Sequence, residues 1–251
     1  MKKFLFILFF STIYCTVTDI DGNVYETVLI GNQLWMAENL KTTHYNNGDN
    51  IQYVLQESSE VDVWENLNTG AYGYYLDDLH HYETYGNLYN WYAVDDERGI
   101  CPIGWHVPSD NEFSILTNYL GGESLAGGKM KETGLEHWNS PNTGATNESG
   151  FTGLPAGYRP SSNGYYVNMG NYGKFWSSTE NNNDNSWSRF LYVNSSEMHR
   201  DGDDKRFGYS IRCLKDIIGC THPNAINYDD QANVDDGSCE YETVQIGHQI
   251  W

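Results

Sequence analysis

Oxygen-bearing side chains are concentrated in one short segment near the C-terminus, residues 219–240, where aspartate and asparagine outnumber aliphatic residues. Calcium in proteins takes about six to eight oxygen ligands, mainly from carboxylates and carbonyls. The sequence therefore predicts Ca²⁺ as a cofactor of this segment. The complete Asp-x-Asp-x-Asp-Gly…Glu loop is absent, so a solvated, turn-rich segment is the alternative. Asp230 and Asn233 offer further oxygens, and the predicted ligands are Asn227, Asp229, Asp235 and Asp236.

Aromatic and arginine side chains form a second group with recognisable chemistry. Aromatic residues make up 15% of the chain, and Tyr, Trp and Arg are enriched at recognition surfaces. The alternative is that Trp176 and several tyrosines pack in the core of a helix-poor domain. The predicted ligand-binding residues are Tyr158, Tyr165, Trp176, Trp187, Arg189 and Arg200.

Catalytic motifs are missing from the sequence. It contains neither Gly-x-Ser-x-Gly nor His-Glu-x-x-His, which would indicate a serine hydrolase or a zinc protease. We therefore predict no catalytic residue and expect the protein not to be an enzyme.

The charge balance excludes one class of partner. Lysine and arginine number 14 against 34 acidic residues, which gives a net charge of −20. Phosphate recognition needs a positive surface, so we expect no nucleic-acid partner.

The N-terminus has the layout of a secretory signal. Lys2 and Lys3 precede a seven-residue apolar run, Phe4 to Phe10, which is too short to span a bilayer. We predict a signal peptide over residues 1–15, no transmembrane segment, and a secreted or bacterial cell-surface protein at the outer membrane or beyond it. Cys15 stands where a lipoprotein would carry its lipid anchor. Ordinary cleavage nearby, with Cys15 removed or unpaired, is the alternative.

The other four cysteines are an even number in an exported chain, which favours two disulfides. Four cysteines allow three pairings. Because Cys220 and Cys239 bracket one compact polar segment, we predict the pairs Cys220–Cys239 and Cys101–Cys213.

Strand patterns dominate the elements that must position these residues. Val24–Ile30 and Gln33–Met36 are short runs split by Gly31-Asn32, a turn typical of hairpins. Ser109 and Glu112 have capping-box spacing and predict a helix that ends at Gly121-Gly122. A second helix is predicted over residues 126–133. Few helices and many short strands indicate an α+β fold.

An internal repeat sets the domain organisation. Residues 25–35, YETVLIGNQLW, and residues 241–251, YETVQIGHQIW, agree at eight of eleven positions. The prediction is a large domain over residues 16–216, a disulfide-closed spacer over residues 217–240, and the start of a second copy over residues 241–251. A tandem array follows from this repeat.

Six sequence motifs cover most of the large domain: residues 21–42, which contain IGNQLWMAENLKT, then YGNLYNWYA (85–93), CPIGWHVPSD (101–110), GFTGLPAGYR (150–159), FWSSTE (175–180) and GYSIRC (208–213). Together they resemble the Fibrobacter succinogenes major paralogous domain, a family of exported bacterial proteins. That family is similar, more distantly, to C-type-lectin-like and formylglycine-generating-enzyme domains. The resemblance implies a twisted antiparallel sheet with few helices and long loops that present a ligand surface. It implies no catalytic residue. The spacer resembles thrombospondin type 3 repeats, which bind Ca²⁺.

The function expected from these features is an exported, non-catalytic binding or adhesion module in a tandem array, with carbohydrate or a cell-envelope polymer as ligand. One alternative is an enzyme of the formylglycine-generating type or a hydrolase accessory domain. Another is a purely structural envelope repeat.

Overall fold

The computed structural model of the protein describes residues 15–56, 61–162, 164–230, 232–242, 245–246 and 249–250. The predicted signal peptide lies outside these residues except for Cys15, an exposed free cysteine. The strands are β1 (Thr16–Thr18), β2 (Val24–Ile30), β3 (Gln33–Met36), β4 (Gln52–Tyr53), β5 (Ala71–Gly73), β6 (Leu88–Tyr89), β7 (Trp105–His106), β8 (Tyr172–Glu180), β9 (Asn185–Tyr192), β10 (His199–Asp204), β11 (Leu214–Lys215), β12 (Ile218–Gly219), β13 (Val234–Asp235), β14 (Gln245–Ile246) and β15 (Gln249–Ile250). The helices are α1 (Val61–Glu65), α2 (Leu79–Tyr85), α3 (Trp91–Val94), α4 (Asp110–Tyr119) and α5 (Glu123–Met130), with a 3₁₀ turn over Tyr75–Asp77.

A five-stranded sheet, in the order β1-β2-β3-β11-β7, brings the two ends of the large domain together. The predicted hairpin is confirmed, because Ile30 pairs with Gln33 across a two-residue turn. Gly31 at this turn has φ +62°, which glycine adopts without strain. On the other side of β3, Leu214 pairs with Trp35 and with His106. The last strand of the domain is thus held between two early strands.

Helix α4 begins at the predicted capping box. The Ser109 side chain accepts a hydrogen bond from the Glu112 backbone amide, and the Glu112 carboxylate accepts one from the Ser109 amide at 2.7 Å. Phe113 and Leu116 on its inner face are fully buried. The prediction of this helix is confirmed.

Helix α5 starts and ends three residues earlier than predicted. The chain leaves helical geometry at Lys131, whose backbone is extended. The buried Lys131 ammonium donates to the carbonyl oxygens of Thr143, Tyr192 and Ser195 at 2.8, 3.1 and 2.8 Å. A buried cation needs such acceptors, and reaching them takes Lys131 out of the helix.

The main core lies between the five-stranded sheet, helices α4 and α5, and a three-stranded antiparallel sheet in the order β10-β9-β8. Its centre is aromatic: the ring of Trp35 lies 5.2 Å from that of Phe113 and 5.8 Å from that of Phe151. Phe175, on the inner face of β8, lies 5.6 Å from Phe151. One face of β8 and β9 therefore packs in the main core.

A third, small sheet of β4, β5 and β6 is tied to the rest of the domain by Arg159. Arg159 is fully buried, and its guanidinium donates to the carbonyl oxygens of Gly164, Val54 and Leu55 at 2.7, 2.5 and 2.9 Å. It also lies 4.1 Å from the centre of the Trp64 ring. Arg159 thus joins the segment after β4 to the loop that precedes β8.

Both predicted disulfides are confirmed. Cys101 is bonded to Cys213 across 112 positions and Cys220 to Cys239 across 19. The first closes most of the large domain, and the second closes the spacer.

The spacer contacts the end of β11. The Asn233 side chain accepts a hydrogen bond from the Ile217 amide at 2.6 Å and donates to the Lys215 carbonyl at 3.1 Å. Strands β12 and β13 pair in parallel within it. Beyond the spacer, Gln245 pairs with Ile250 and Ile246 with Gln249. This register is the same as that of β2 and β3 at the corresponding positions.

The described residues therefore form mostly antiparallel sheets with few, short helices and long connections, as the α+β prediction requires. Among these residues, no helix has both the length and the apolar character that crossing a bilayer would require.

Candidate functional site

Two of the predicted ligand-binding residues, Trp176 and Arg189, are buried. Trp176 is fully buried, its ring lies 4.4 Å from that of Tyr209, and its indole N–H donates to the Tyr89 carbonyl at 2.9 Å. Arg189 is 1% exposed. Neither side chain can touch a ligand at the surface, so packing and ion pairing explain both.

Arg189 and Arg200 share one carboxylate, that of Asp110 at the start of α4. The closest nitrogen–oxygen distances are 2.8 Å for Arg189 and 2.9 Å for Arg200. Burial alone would raise the pKa of Asp110, but the two guanidinium groups outweigh it and lower that pKa. The Arg200 guanidinium also lies 3.3 Å from the centre of the Trp187 ring. One face of Trp187 is therefore covered by Arg200.

Tyr165 and Tyr158, the other two predicted residues, lie on the surface. Tyr165 is 42% exposed in the loop before β8. Tyr158 is half-buried and contacts Tyr172, with ring centres 6.2 Å apart. Tyr158 joins a larger group of aromatic rings.

That group, here called the aromatic face, lies along β8, β9 and β10 and two adjoining segments. Tyr172 and Tyr192 stack across β8 and β9 at 4.7 Å, and Phe190 and His199 stack across β9 and β10 at 4.6 Å. Tyr172 lies 6.0 Å from Phe190, which connects the two pairs. All of its members are half-buried, so the rings are in contact and still reach solvent. The aromatic face consists of Tyr158, Tyr172, Phe190, Tyr192, His199 and Phe207.

A buried ammonium lies beneath the aromatic face. Lys174, which is 9% exposed, has its nitrogen 5.2 Å from the ring centre of Tyr158 and 5.0 Å from that of Phe190. It donates to the Asp203 carboxylate at 3.3 Å, and the Ser188 hydroxyl donates to the same oxygen at 2.6 Å. Such contacts hold both the charge and the rings in place.

Polar groups lie at the edges of the aromatic face. The Asn168 amide donates to the Tyr158 hydroxyl at 3.1 Å, and the Asn194 amide donates to the Tyr192 hydroxyl at 2.9 Å. Asp201, on β10, is exposed. Rings that present flat apolar surfaces next to oriented amides and hydroxyls suit a ligand with an apolar face and a polar rim.

A second feature combines three ionisable groups. The two ring nitrogens of His106 lie 2.6 Å from the Asp216 carboxylate and 3.0 Å from the Glu112 carboxylate. Burial alone would lower the pKa of His106, but the hydrogen bonds and charges of both carboxylates outweigh it and raise that pKa. Because both nitrogens are engaged, His106 connects α4 to Asp216, the last residue of the large domain.

The predicted calcium ligands in the spacer organise turns. Asn227 accepts from the Glu240 amide at 2.8 Å and donates to the Ser238 carbonyl at 2.7 Å. Asp235 accepts from the Gly237 amide and Asp236 from the Ser238 amide. No group of three or more His, Cys, Asp or Glu side chains, Asp229 included, is arranged to hold a metal within the described residues. Calcium binding by these four residues stays a prediction.

Sequence reasoning missed most of the aromatic face. Tyr172, Phe190, Tyr192 and His199 come together through the pairing register of three strands. The only signal in the sequence is the alternation of aromatic residues at 190 and 192 with Leu191, which is buried in the core. That alternation indicates two faces of a strand but not which rings become neighbours.

Comparison with known proteins identifies a family. No curated protein and no solved structure matches the chain. Residues 28–215 match the sequence profile of the Fibrobacter succinogenes major domain. This match confirms the family to which the six motifs pointed, and its span covers most of the chain. The protein therefore belongs to the Fibrobacter succinogenes major domain family.

Proposed function

We propose that the protein is an exported, non-catalytic binding module whose aromatic face binds carbohydrate or another cell-envelope polymer. The observation that carries the proposal is the continuous contact of six half-buried rings, four of them on β8, β9 and β10 and two on adjoining segments. Sugar rings combine flat C–H surfaces with hydroxyl groups around their edge. They complement stacked aromatic rings that have amides and hydroxyls beside them.

Export is supported by the two disulfides, because such bonds persist in oxidising compartments. The proposed location is the bacterial cell surface or the medium. A lipid anchor at Cys15 is part of the proposal, supported by the exposed, free state of this cysteine. The antiparallel sheets, few helices and long connections also support a C-type-lectin-like fold.

An enzyme of the formylglycine-generating type is the alternative. It would need a reactive pair of thiols, whereas four of the five cysteines are bonded and Cys15 is the free one. This pattern favours the binding module.

The test is a binding assay on microcrystalline cellulose, xylan, chitin and purified peptidoglycan, followed by a glycan array. The variants Tyr172→Ala and Tyr192→Ala each remove one ring of the stacked pair. Removal of a stacked ring from a binding surface costs about 1–2 kcal/mol, so affinity should fall roughly 5–30-fold. Tyr119→Ala is the matched control, because Tyr119 is 65% exposed and lies on α4, away from the aromatic face.

Two outcomes would contradict the proposal. Absence of binding to every polymer and glycan would favour the structural envelope repeat. Binding that survives both face variants but is lost in Tyr165→Ala would move the site to the loop before β8. Circular dichroism of each variant separates loss of binding from loss of folding.

A further inference from the structure

A cleft, here called the ladder-end cleft, lies at one end of the paired strands β9 and β10, beside helices α1 and α3. Its volume is about 610 Å³, and small-molecule sites usually measure about 300–1,000 Å³. The lining side chains used here come from α1 (Glu65), α3 (Tyr92), the turn before β9 (Asp184), the paired strands (Asn185 and Asp204) and the segment after β10 (Arg206).

The ladder-end cleft shares no residue with the aromatic face. Asp204 pairs with Asn185 at one end of the two strands, and His199 pairs with Phe190 at the other end. Residues in a strand are about 3.4 Å apart, so the two ends are separated by roughly 17 Å. The cleft therefore lies away from the Phe190–His199 pair.

Arg206 is a fixed hydrogen-bond donor in this cleft. Its Nε donates to the Asp204 carboxylate at 2.9 Å, its Nη2 donates to the same carboxylate, and its Nη1 donates to the Glu65 carbonyl at 3.0 Å. A guanidinium carries five N–H groups, so these bonds hold it in place and leave two N–H groups over. The Arg206 side chain is 41% exposed, which leaves it accessible to a ligand.

Asp204 is an acceptor beside this donor. Its side chain is 27% exposed. Burial alone would raise the pKa of Asp204, but the hydrogen bonds and the charge of Arg206 outweigh it and lower that pKa. The carboxylate is therefore ionised at neutral pH and can only accept hydrogen bonds. A donor next to an acceptor suits hydroxyl groups, which both donate and accept.

The turn on the opposite side of the cleft is held by Lys205, which is 7% exposed. The Lys205 amide donates to the Asp184 carbonyl at 3.0 Å, and its ammonium donates to the Asn183 carbonyl at 2.9 Å and to the Glu180 carboxylate. Because these bonds fix the turn, the wall of the cleft is formed before a ligand binds, which lowers the entropic cost of binding.

Tyr92 gives the cleft an aromatic wall. It is half-buried on α3, and a phenol ring offers a flat apolar surface with a hydroxyl at its edge. A sugar ring likewise combines a flat C–H surface with hydroxyls around its edge. One sugar residue thus complements the Tyr92 ring and the Arg206–Asp204 pair together.

The charges of the cleft disfavour an anionic ligand. Glu65, Asp184 and Asp204 are acidic, whereas Arg206 is basic and already paired with Asp204. A phosphate or uronate group would be repelled by the excess of negative charge. Asp184 is exposed, so solvent and salt screen its charge. A neutral, hydroxyl-rich ligand fits this balance.

We propose that the ladder-end cleft binds a single neutral sugar residue of an oligosaccharide, with Arg206 as donor to its hydroxyls, Asp204 as acceptor and the Tyr92 ring against its C–H surface. This site is additional to the aromatic face and does not depend on it. A protein with both sites would hold one polysaccharide, or two different ones, at separate places on the same domain.

The experiment is calorimetric titration of the full chain carrying Tyr172→Ala, in which the aromatic face is altered. The probes are soluble cellotetraose, xylotetraose, mannotetraose and N-acetylated chitotetraose. We expect at least one of them to bind. Arg206→Lys, added to this chain, should weaken that affinity about tenfold, because an ammonium cannot replace the planar donor fork. Tyr92→Leu, which removes the ring, should weaken it by a similar factor.

Arg98→Lys is the matched control. The Arg98 guanidinium donates to Asp96, two residues away, at 2.8 and 2.7 Å, as Arg206 donates to Asp204, and Arg98 does not line the cleft. Arg98→Lys should leave the oligosaccharide affinity unchanged. Circular dichroism of each variant separates loss of binding from loss of folding.

Four results would overturn the proposal. One is that none of the oligosaccharides binds at millimolar concentration. Another is equal weakening by Arg98→Lys and Arg206→Lys, which would indicate a general effect of arginine replacement. Binding that survives both Arg206→Lys and Tyr92→Leu would leave the aromatic face as the sugar site. Stronger binding of the glucosamine tetramer than of its N-acetylated form would identify a cationic ligand instead. Oligosaccharide binding that depends on Arg206 and Tyr92 supports the cleft even if the polymer assay of the aromatic face fails.

Discussion

Replacement of His106 with glutamine is expected to destabilise the protein in a pH-dependent way. The His106 side chain is 28% exposed, and its partners Asp216 and Glu112 are 18% and 11% exposed. A hydrogen bond to a charged group contributes about 1.5–3 kcal/mol net. Glutamine can restore one neutral bond of the two, so His106→Gln should cost about 2–4 kcal/mol while His106 is charged.

The direction of the pH dependence follows from the pKa shifts. The pKa of His106 is raised above 6.5 in the folded protein. Its contribution to the free energy of unfolding is therefore complete below pH 6.5 and is lost as the pH rises through the raised pKa. The pKa of Glu112 is lowered below 4.5, because the bonds from His106 and Ser109 outweigh the opposing effect of burial. Its contribution is complete above pH 4.5 and is lost on acidification. The interaction should stabilise most between these two values.

The assay is urea unfolding, followed by tryptophan fluorescence, at a series of pH values from 4 to 9 with the disulfides intact. The free-energy difference between the wild-type protein and His106→Gln should be largest near pH 5–6 and should shrink by about 2 kcal/mol towards pH 9. His80→Gln, an exposed histidine on α2, is the control and should show no such change. A difference that stays constant from pH 5 to pH 9 would refute the reasoning.

Three further predictions concern stability, each measured by urea unfolding. Simultaneous replacement of Cys101 and Cys213 by serine should cost about 4–5 kcal/mol, because the loop that they close is long; a loss below 1 kcal/mol would contradict this. Arg212→Lys should cost about 2–4 kcal/mol. The buried Arg212 guanidinium donates to Asn39 at 2.7 Å and to the Phe151 and Thr152 carbonyls, and one ammonium group cannot reach all three acceptors. An unchanged free energy of unfolding would show that lysine suffices. Gly127→Ala should destabilise by more than 1 kcal/mol, because a Cβ there would lie 2.1 Å from the Glu197 carbonyl oxygen; an unchanged midpoint would contradict the close approach.

Local elements of the fold could be predicted from the sequence because their causes are local. The β2–β3 hairpin follows from Gly31-Asn32 between two apolar runs, and α4 follows from the spacing of Ser109 and Glu112. The disulfide pairs follow from the compactness of the spacer. In each case the residues that determine the structure lie within about 20 positions or pair by elimination.

The candidate site could not be predicted in the same way. Trp176 and Tyr172 lie on the same strand and the same face of it, yet Tyr209 covers the first and the second reaches solvent. Arg189 is buried because Asp110, 79 positions away, supplies its counter-charge. Aromatic and arginine residues can thus be buried or exposed. Contacts with residues far away in the sequence decide which of these side chains reaches solvent.

The repeat shows which positions long-range contacts constrain. In the large domain, the Tyr25 hydroxyl donates to Asp19 at 2.6 Å, Gln33 contacts α4, and Trp35 lies in the core. These three residue types recur as Tyr241, Gln249 and Trp251. By contrast, Leu29, which is 66% exposed, is replaced by glutamine at position 245. Positions with partners are kept and an exposed position varies, which is expected if both copies fold around the same contacts.

The same comparison bears on the acidic residues of the spacer. Asp19 lies six positions before Tyr25, and Asp235 lies six positions before Tyr241. Each aspartate accepts a hydrogen bond from the backbone amide two residues later, at 3.0 Å for Asp19 and 3.2 Å for Asp235. Side chains that accept in this way organise turns without a metal. Asp235 therefore organises the turn that precedes the second hairpin. The local sequence explains this role of Asp235 without calcium.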